Sequence, residues 1–424
     1  MRATKLIQVF EHETLRVGAS YINMNDDAVV FTRAHLNALR DFNTRYESSF
    51  FKIQEKSVKF SSYVGVVQIE DVIIEILPKI DKVSDDKRLW RDVLIHILKI
   101  TEDFKIRQTD TASVRAQRVH LLDIFFEAYI KEVRTLVRKG LIKKYISAAS
   151  NKNVLKGRLQ FEKHCTKNLI HKTRFFTTQH QYTTAHALHF ILAKALQIIA
   201  SKNKGTELYK NCQKLLLHFP EFKHKTLTKK DLESVKITRK NAYYEKAIQL
   251  AKVIILNLGP DIVDGKQEMI ALLFDMNALW EKYVLKALKR EKYQHKDLEV
   301  EKNPKCIWKT NTLKPDIVIY KGEDTYILDT KWKILKNTKT PGSEDIRQIY
   351  TYCKFWNSKR GVLIYPSHQT VKFDFHNYEN DYDEPKVQAA IGEISVFKNS
   401  TKDKLLFDTN LGAEILKQIG VEKI

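Results

Sequence analysis

The sequence predicts an α+β multi-domain protein with a strand-rich N-terminal part, a helical middle and a C-terminal α/β part built on a mixed central sheet. Three observations predict it. Between Leu6 and about Ile80, short β-branched or aromatic runs are separated by polar turns; from Leu89 the apolar period becomes helical; beyond about residue 270 both patterns occur in turn. At 424 residues the chain exceeds one ordinary core, so segments 1–88, 89–270 and 271–424 are expected. Hydrophobic residues at 43%, with 13 Gly and 8 Pro, exclude long disordered linkers.

In the first segment, LIQVF, AVVF, FFKIQ, VKF, VGVVQI and DVIIEI read as strands, interrupted by one helix near Arg33 to Asn43. Nothing there has catalytic spacing. In the middle, LWRDVLIHILKI and LLDIFFEAYIKEVRTLVRK read as helices, the second ended by Gly140, and two more are expected around His186 to Ser201 and Ala242 to Leu258. Leu155 to Thr184 is basic, aromatic-rich and irregular. Arg158, Lys172 and Arg174 are candidate contacts to a DNA backbone or an acidic partner; solvated charge beside a core of Phe161, Phe175 and Phe176 accounts for them equally well. His186 and His189 have no acid or cysteine nearby at ligand spacing and do not make a metal site.

Lys and Arg number 73 against 51 acids, a net charge of +22 that no single tail holds. Such a field attracts polyanions, and DNA is the expected one. No stretch joins a basic face to the large apolar face of an interfacial anchor, so no membrane partner is expected. Ala185 to Ala200, broken by His186, His189, Lys194 and Gln197, reads as a buried helix. The apolar run in MRATKLIQVFEHE is too short for a signal peptide, and Cys165, Cys212, Cys306 and Cys353 form no CxxC pair. A reducing, cytoplasmic setting follows as the expectation. Gly259 to Lys266 has five residues between its glycines and Gln267 after its lysine, so it is no phosphate-binding loop and this chain binds no nucleotide itself.

The chemistry is concentrated in LKPDIVIYKGEDTYILDTKWK, Leu313 to Lys333. Val318-Ile319-Tyr320, the turn Lys321 to Asp324, and Tyr326-Ile327-Leu328 form a β-hairpin. Asp316 opens its first strand behind Pro315 and Asp329 closes its second. In an antiparallel pair those ends abut, so both carboxylates converge. Such a pair suits Mg²⁺, which takes one or two carboxylates together with substrate phosphate oxygens. Lys331, on the face of Asp329 by alternation, can steady the attacked phosphate or the nucleophilic water. Upstream, Phe274 to Arg290 reads as a helix with Met276, Leu279, Trp280, Tyr283, Val284, Ala287 and Leu288 on one face and Glu281 at its border, a third acid in reach. Downstream, Ser343 as N-cap with Glu344 and Asp345 starts a helix that sets Gln348 and Tyr352 four apart, on one side.

Glu on a helix, a hairpin with Pro-Asp and Asp-x-Lys, then Gln-x-x-x-Tyr on a helix resembles the PD-(D/E)xK nuclease superfamily, the last pair its RecB-like members. The wording FDMNALWEKYV, the Pro-Asp strand, LDTKWK, and VGVVQIEDVIIEILPKI at Val64 to Ile80 resemble the McrC family, the nuclease subunits of methylation-dependent McrBC restriction systems. The resemblance implies Mg²⁺-dependent hydrolysis of methylcytosine-containing DNA, as part of a phage-defence system. Asp316, Asp329, Glu281 and the carbonyl of Thr330 are the implied metal ligands, Lys331 joins them in catalysis, and Gln348 and Tyr352 position DNA. It also implies a hexameric AAA+ GTPase partner of the McrB kind, docked and stimulated by the N-terminal region, with residues 271–424 as the cutter. A stand-alone RecB-like nuclease and a non-catalytic DNA-binding adaptor are the alternatives.

Overall fold

A computed structural model describes residues 5–23, 27–46, 50–69, 72–79, 86–101, 121–222, 232, 235, 237–258, 269–293, 295–333, 341–367, 370–379, 386–397, 408 and 410–421. The chain divides into two compact units, Met1–Thr109 with Leu273–Ile424, and Asp110–Leu272. The first unit thus joins residues from both ends of the sequence. Periodicity identifies elements, whereas this grouping is made by packing between residues hundreds of positions apart.

In the first unit, Lys5–Phe10 pairs in parallel with Val72–Leu77, which pairs antiparallel with Tyr63–Ile69. The residues of Val72–Leu77 are all buried, so even Glu75 is enclosed, accepting from Gln8 Nε2 at 2.9 Å and lying 3.3 Å from Arg91 Nε. The expected helix is present as Arg33–Tyr46, and the shorter runs form two small sheets.

The second sheet of this unit is six-stranded and mixed, in the order Leu298–Glu301, Ile317–Lys321, Asp324–Thr330, Arg360–Ser367, Gln388–Ser395, Asp374–Asn377. Asp324–Thr330, Arg360–Ser367 and Gln388–Ser395 run parallel, and the flanking pairs are antiparallel. The helix Ser343–Phe355 covers one face, where Ile349, Cys353 and Trp356 meet Val318, Ile327, Leu363 and Tyr365. It approaches closely because Gly361 has no side chain: a Cβ there meets Ile349 Cγ1 at 2.6 Å and Cys353 Sγ at 2.7 Å. By strand alternation Ile317, Ile319, Leu328, Val362 and Ile364 point away from that helix, and they are buried as well. The helix Met276–Glu291, started by the Asp275 carboxylate accepting from Asn277 N at 2.9 Å, packs against Asp324–Thr330.

In the second unit the helices Leu121–Lys139, Ala187–Lys202 and Glu245–Leu258 are where their apolar period puts them, and Gly140 at φ 85° ends the first. Tyr129 Oη donates to Leu192 O at 2.7 Å, tying two of them together. A further helix, Glu207–Leu216, follows the N-cap Thr206. The stretch expected to be irregular is ordered: Phe175–Thr183 pairs along nine residues with Lys144–Lys152, and Arg158–Leu159 adds a third strand. Phe161 is exposed rather than part of a core, while Phe176 is buried. His189 is buried, with Nε2 3.1 Å from Tyr244 Oη and Nδ1 2.7 Å from Thr184 O, a structural role. Residues 259–268, with the rejected phosphate loop, lie outside the described residues. No described helix is long and apolar enough to cross a membrane.

Candidate active site

The hairpin forms as expected, with Ile317 opposite Leu328 and Gly322 at φ 60° in its turn. Asp316 and Asp329 are the next residues outward on the two strands, so their carboxylates share one face. Asp316 Oδ2 accepts from Thr330 N at 2.7 Å and from Thr330 Oγ1 at 2.8 Å, which fixes it to the opposite strand end. Asp329 is 2% exposed. Burial, and then the negative charge of Asp316, push its carboxyl up to about 6, with Lys331 partly offsetting both.

Lys331 Nζ lies 2.8 Å from Asp329 Oδ2, a close ion pair inside the buried end of the hairpin. The same ammonium donates to Gln348 Oε1 at 2.9 Å and lies 3.8 Å from Asp345 Oδ1. Burial acts to lower the Lys331 pKa, but Asp329, Asp345 and Asp316 outweigh it and the net shift is upward. Gln348 Nε2 donates to Tyr352 Oη at 2.9 Å, and Tyr352 Oη donates to Lys314 O at 3.3 Å. The expected pair on the helix is therefore one continuous relay ending on the ammonium.

Glu281 is half-buried and ion-paired to Lys302. Burial raises its pKa, and Asp316 adds to the rise against the Lys302 hydrogen bond, which puts Glu281 within the field of the hairpin acids. Among the described residues no three His, Cys, Asp or Glu side chains gather closely enough to hold a metal ion by themselves. Two carboxylates suffice for an ion that also takes phosphate oxygens and water, and Asp316 and Asp329 meet on one face at abutting strand ends. The residues present fit Mg²⁺.

Arg158, Lys172 and Arg174 are exposed and belong to the other unit. Two contributors escape sequence reasoning. Asp345 reads as a first-turn acid, yet it faces Lys331 and Lys333 and accepts from Tyr365 Oη at 3.4 Å; Lys302, paired with Glu281, has no local motif to mark it. The N-cap is Gly342, which places Ser343 and Asp345 one position further into the helix than expected.

The buried Asp329 sets a stability prediction. A carboxyl raised from 3.8 to about 6 on folding costs nothing below pH 4, where it is protonated in both states; the cost grows between pH 4 and 6 and is complete above. In metal-free buffer Asp329→Asn is therefore expected to be more stable than the parent at pH 7.5, by about 2 to 3 kcal/mol, and equal to it near pH 4. Urea unfolding at both pH values measures this.

The family model for the McrBC 5-methylcytosine restriction system component matches residues 58–366. No curated protein matches the sequence. Among solved structures, the fold is similar to a chain of the refined half-complex from the tetradecameric assembly of Thermococcus gammatolerans McrB AAA+ hexamers with bound McrC, at TM-score 0.64 and 19% identity over 98% of this chain and 100% of that one. A chain of the cryo-EM structure of the Thermococcus gammatolerans McrBC complex aligns at TM-score 0.49 and 19% identity, over 68% of this chain and 88% of that one. Because the family model spans well over half of its 424 residues, the chain belongs to the family of McrBC 5-methylcytosine restriction system components.

Proposed function

We propose that this chain is the DNA-cleaving subunit of a GTP-dependent, methylcytosine-directed restriction complex, acting as McrC does beside a McrB-like AAA+ hexamer. The observation that carries the reading is the meeting of Asp316 and Asp329 at abutting strand ends with the Lys331 ammonium 2.8 Å from Asp329. The mixed sheet, with the Glu281 helix and the Gln348 helix packed on it, supports assignment to the PD-(D/E)xK superfamily. Family membership supports the restriction role, and likeness over nearly the whole chain to a member of an assembly of McrB hexamers with bound McrC supports the partner.

Asp316 and Asp329 would hold Mg²⁺, with Glu281 and the Thr330 carbonyl as further ligands. Held there, Mg²⁺ would supply Lewis-acid chemistry for lowering the pKa of a water and offsetting phosphate charge, effects worth several kcal/mol. Lys331 holds a positive charge at the same point and orients the water. Gln348, itself held by Tyr352, fixes the direction of that ammonium. The net charge of +22 draws DNA to the complex.

The test is cleavage by the chain co-purified with its AAA+ partner. Methylated DNA is expected to be cut only with GTP and Mg²⁺, and EDTA to stop it; unmethylated DNA is spared. Cutting by the isolated chain without nucleotide assigns it instead as a stand-alone nuclease. GTPase stimulation with no cutting of any DNA leaves an adaptor and overturns the reading.

A further inference from the structure

A second buried acid stands directly behind the Asp329 to Lys331 strand end, and it comes from the other sheet of the same unit. Glu11 follows the strand Lys5–Phe10, its amide donating to Leu77 O at 2.8 Å. Its carboxylate is almost fully enclosed: Oε1 accepts from the Trp332 indole at 2.7 Å and from Lys79 N at 3.1 Å, while Oε2 has no hydrogen bond and lies 3.8 Å from His12 Nε2. Burial pushes this carboxyl up to about 7 in spite of both bonds. A carboxylate enclosed at such cost, for a bond spanning 321 residues of chain, needs a reason beyond filling space.

Trp332 supplies it. The residue follows Lys331 directly and is itself buried, its ring 5.6 Å from that of Trp280. Trp280 precedes Glu281 and donates from Nε1 to Ile364 O at 3.5 Å, the same carbonyl that accepts from Lys331 N at 2.9 Å. Glu11, Trp332, Trp280 and the Ile364 carbonyl thus enclose the backbone from which the Lys331 side chain departs. We propose that Glu11 is a positioning residue for cleavage: by gripping the Trp332 indole it fixes the strand end that aims the Lys331 ammonium at the carboxylate pair. The proposal rests on the nuclease reading above, and a catalytic ammonium displaced by about 1 Å loses on the order of ten- to a hundred-fold in rate.

Four variants test it in the full chain with its AAA+ partner. Glu11→Met and Trp332→Phe remove the acceptor or the donor; Glu11→Gln keeps an acceptor oxygen without charge; Ile7→Val loosens the same strand away from Trp332. Glu11→Met and Trp332→Phe are expected to lower kcat about ten- to a hundred-fold with the Mg²⁺ half-saturation unchanged, and to speed amide hydrogen exchange across residues 329–333. Glu11→Gln restores both, and Ile7→Val alters neither, whatever its Tm. Parental kcat in Glu11→Met, unchanged exchange at 329–333, or equal losses in Ile7→Val overturn the positioning role. If the parent complex cuts no DNA, the nuclease reading falls by itself, and the exchange measurement, which needs no turnover, still decides whether Glu11 holds the strand end.

Discussion

Asp329→Ala is expected to abolish DNA cleavage by the assembled complex, by on the order of 10³-fold or more, while stimulation of the partner GTPase stays within about two-fold of the parent. The size follows from position. Asp329 is the most enclosed acid of the cluster, and its carboxylate lies beside both Asp316 and the Lys331 ammonium. The fold survives because what is removed is a carboxylate whose charged form folding disfavours, its carboxyl being pushed up to about 6 by burial and by Asp316. Loss of cutting with retained GTPase stimulation also separates a catalytic lesion from failed docking. A single-turnover cleavage assay beside a GTPase assay on one preparation measures both, and an Asp329→Ala complex that cuts at the parental rate sinks the assignment of this hairpin as the cutter.

Much of this site is legible in the sequence because its parts are local. A hairpin declares itself by alternation and a turn, and its acids sit at strand ends where antiparallel geometry leaves little choice of neighbour. Gln348 and Tyr352 are one helical turn apart, so their hydrogen bond needs no tertiary knowledge. Illegibility begins where chemistry depends on what packs from afar. Glu11 looks like any acid after a strand until Trp332 arrives from the far end of the chain. Asp345 looks like an ordinary acid of a helix's first turn until the helix is laid beside Lys331. The strand Lys144–Lys152 is hidden for another reason: KYISAASNK has no fully buried residue on either face, so it shows no apolar alternation to read.

Lys331→Met is expected to cost about 10²- to 10³-fold in cleavage, with DNA binding retained, because the ammonium acts where charge develops rather than where DNA is first held. Arginine should not rescue it. The ammonium sits between Asp329 Oδ2 at 2.8 Å and Gln348 Oε1 at 2.9 Å, a gap set for a point charge, and a planar guanidinium fork cannot occupy it without displacing the Gln348 and Tyr352 relay. The substitution should also move the pH dependence, in a direction the electrostatics fix. Burial, Asp316 and Asp345 all raise the Asp329 carboxyl, and Lys331 opposes them. Without Lys331 the carboxyl rises beyond about 6, so protons compete with Mg²⁺ at higher pH and the acid limb of the residual activity shifts alkaline. Measuring cleavage from pH 5.5 to 9 at two Mg²⁺ concentrations resolves the two effects: a rate deficit that persists at high pH belongs to the lost ammonium, and one that high pH and high Mg²⁺ erase belongs to Asp329. An unshifted acid limb would show that these two side chains do not share a field.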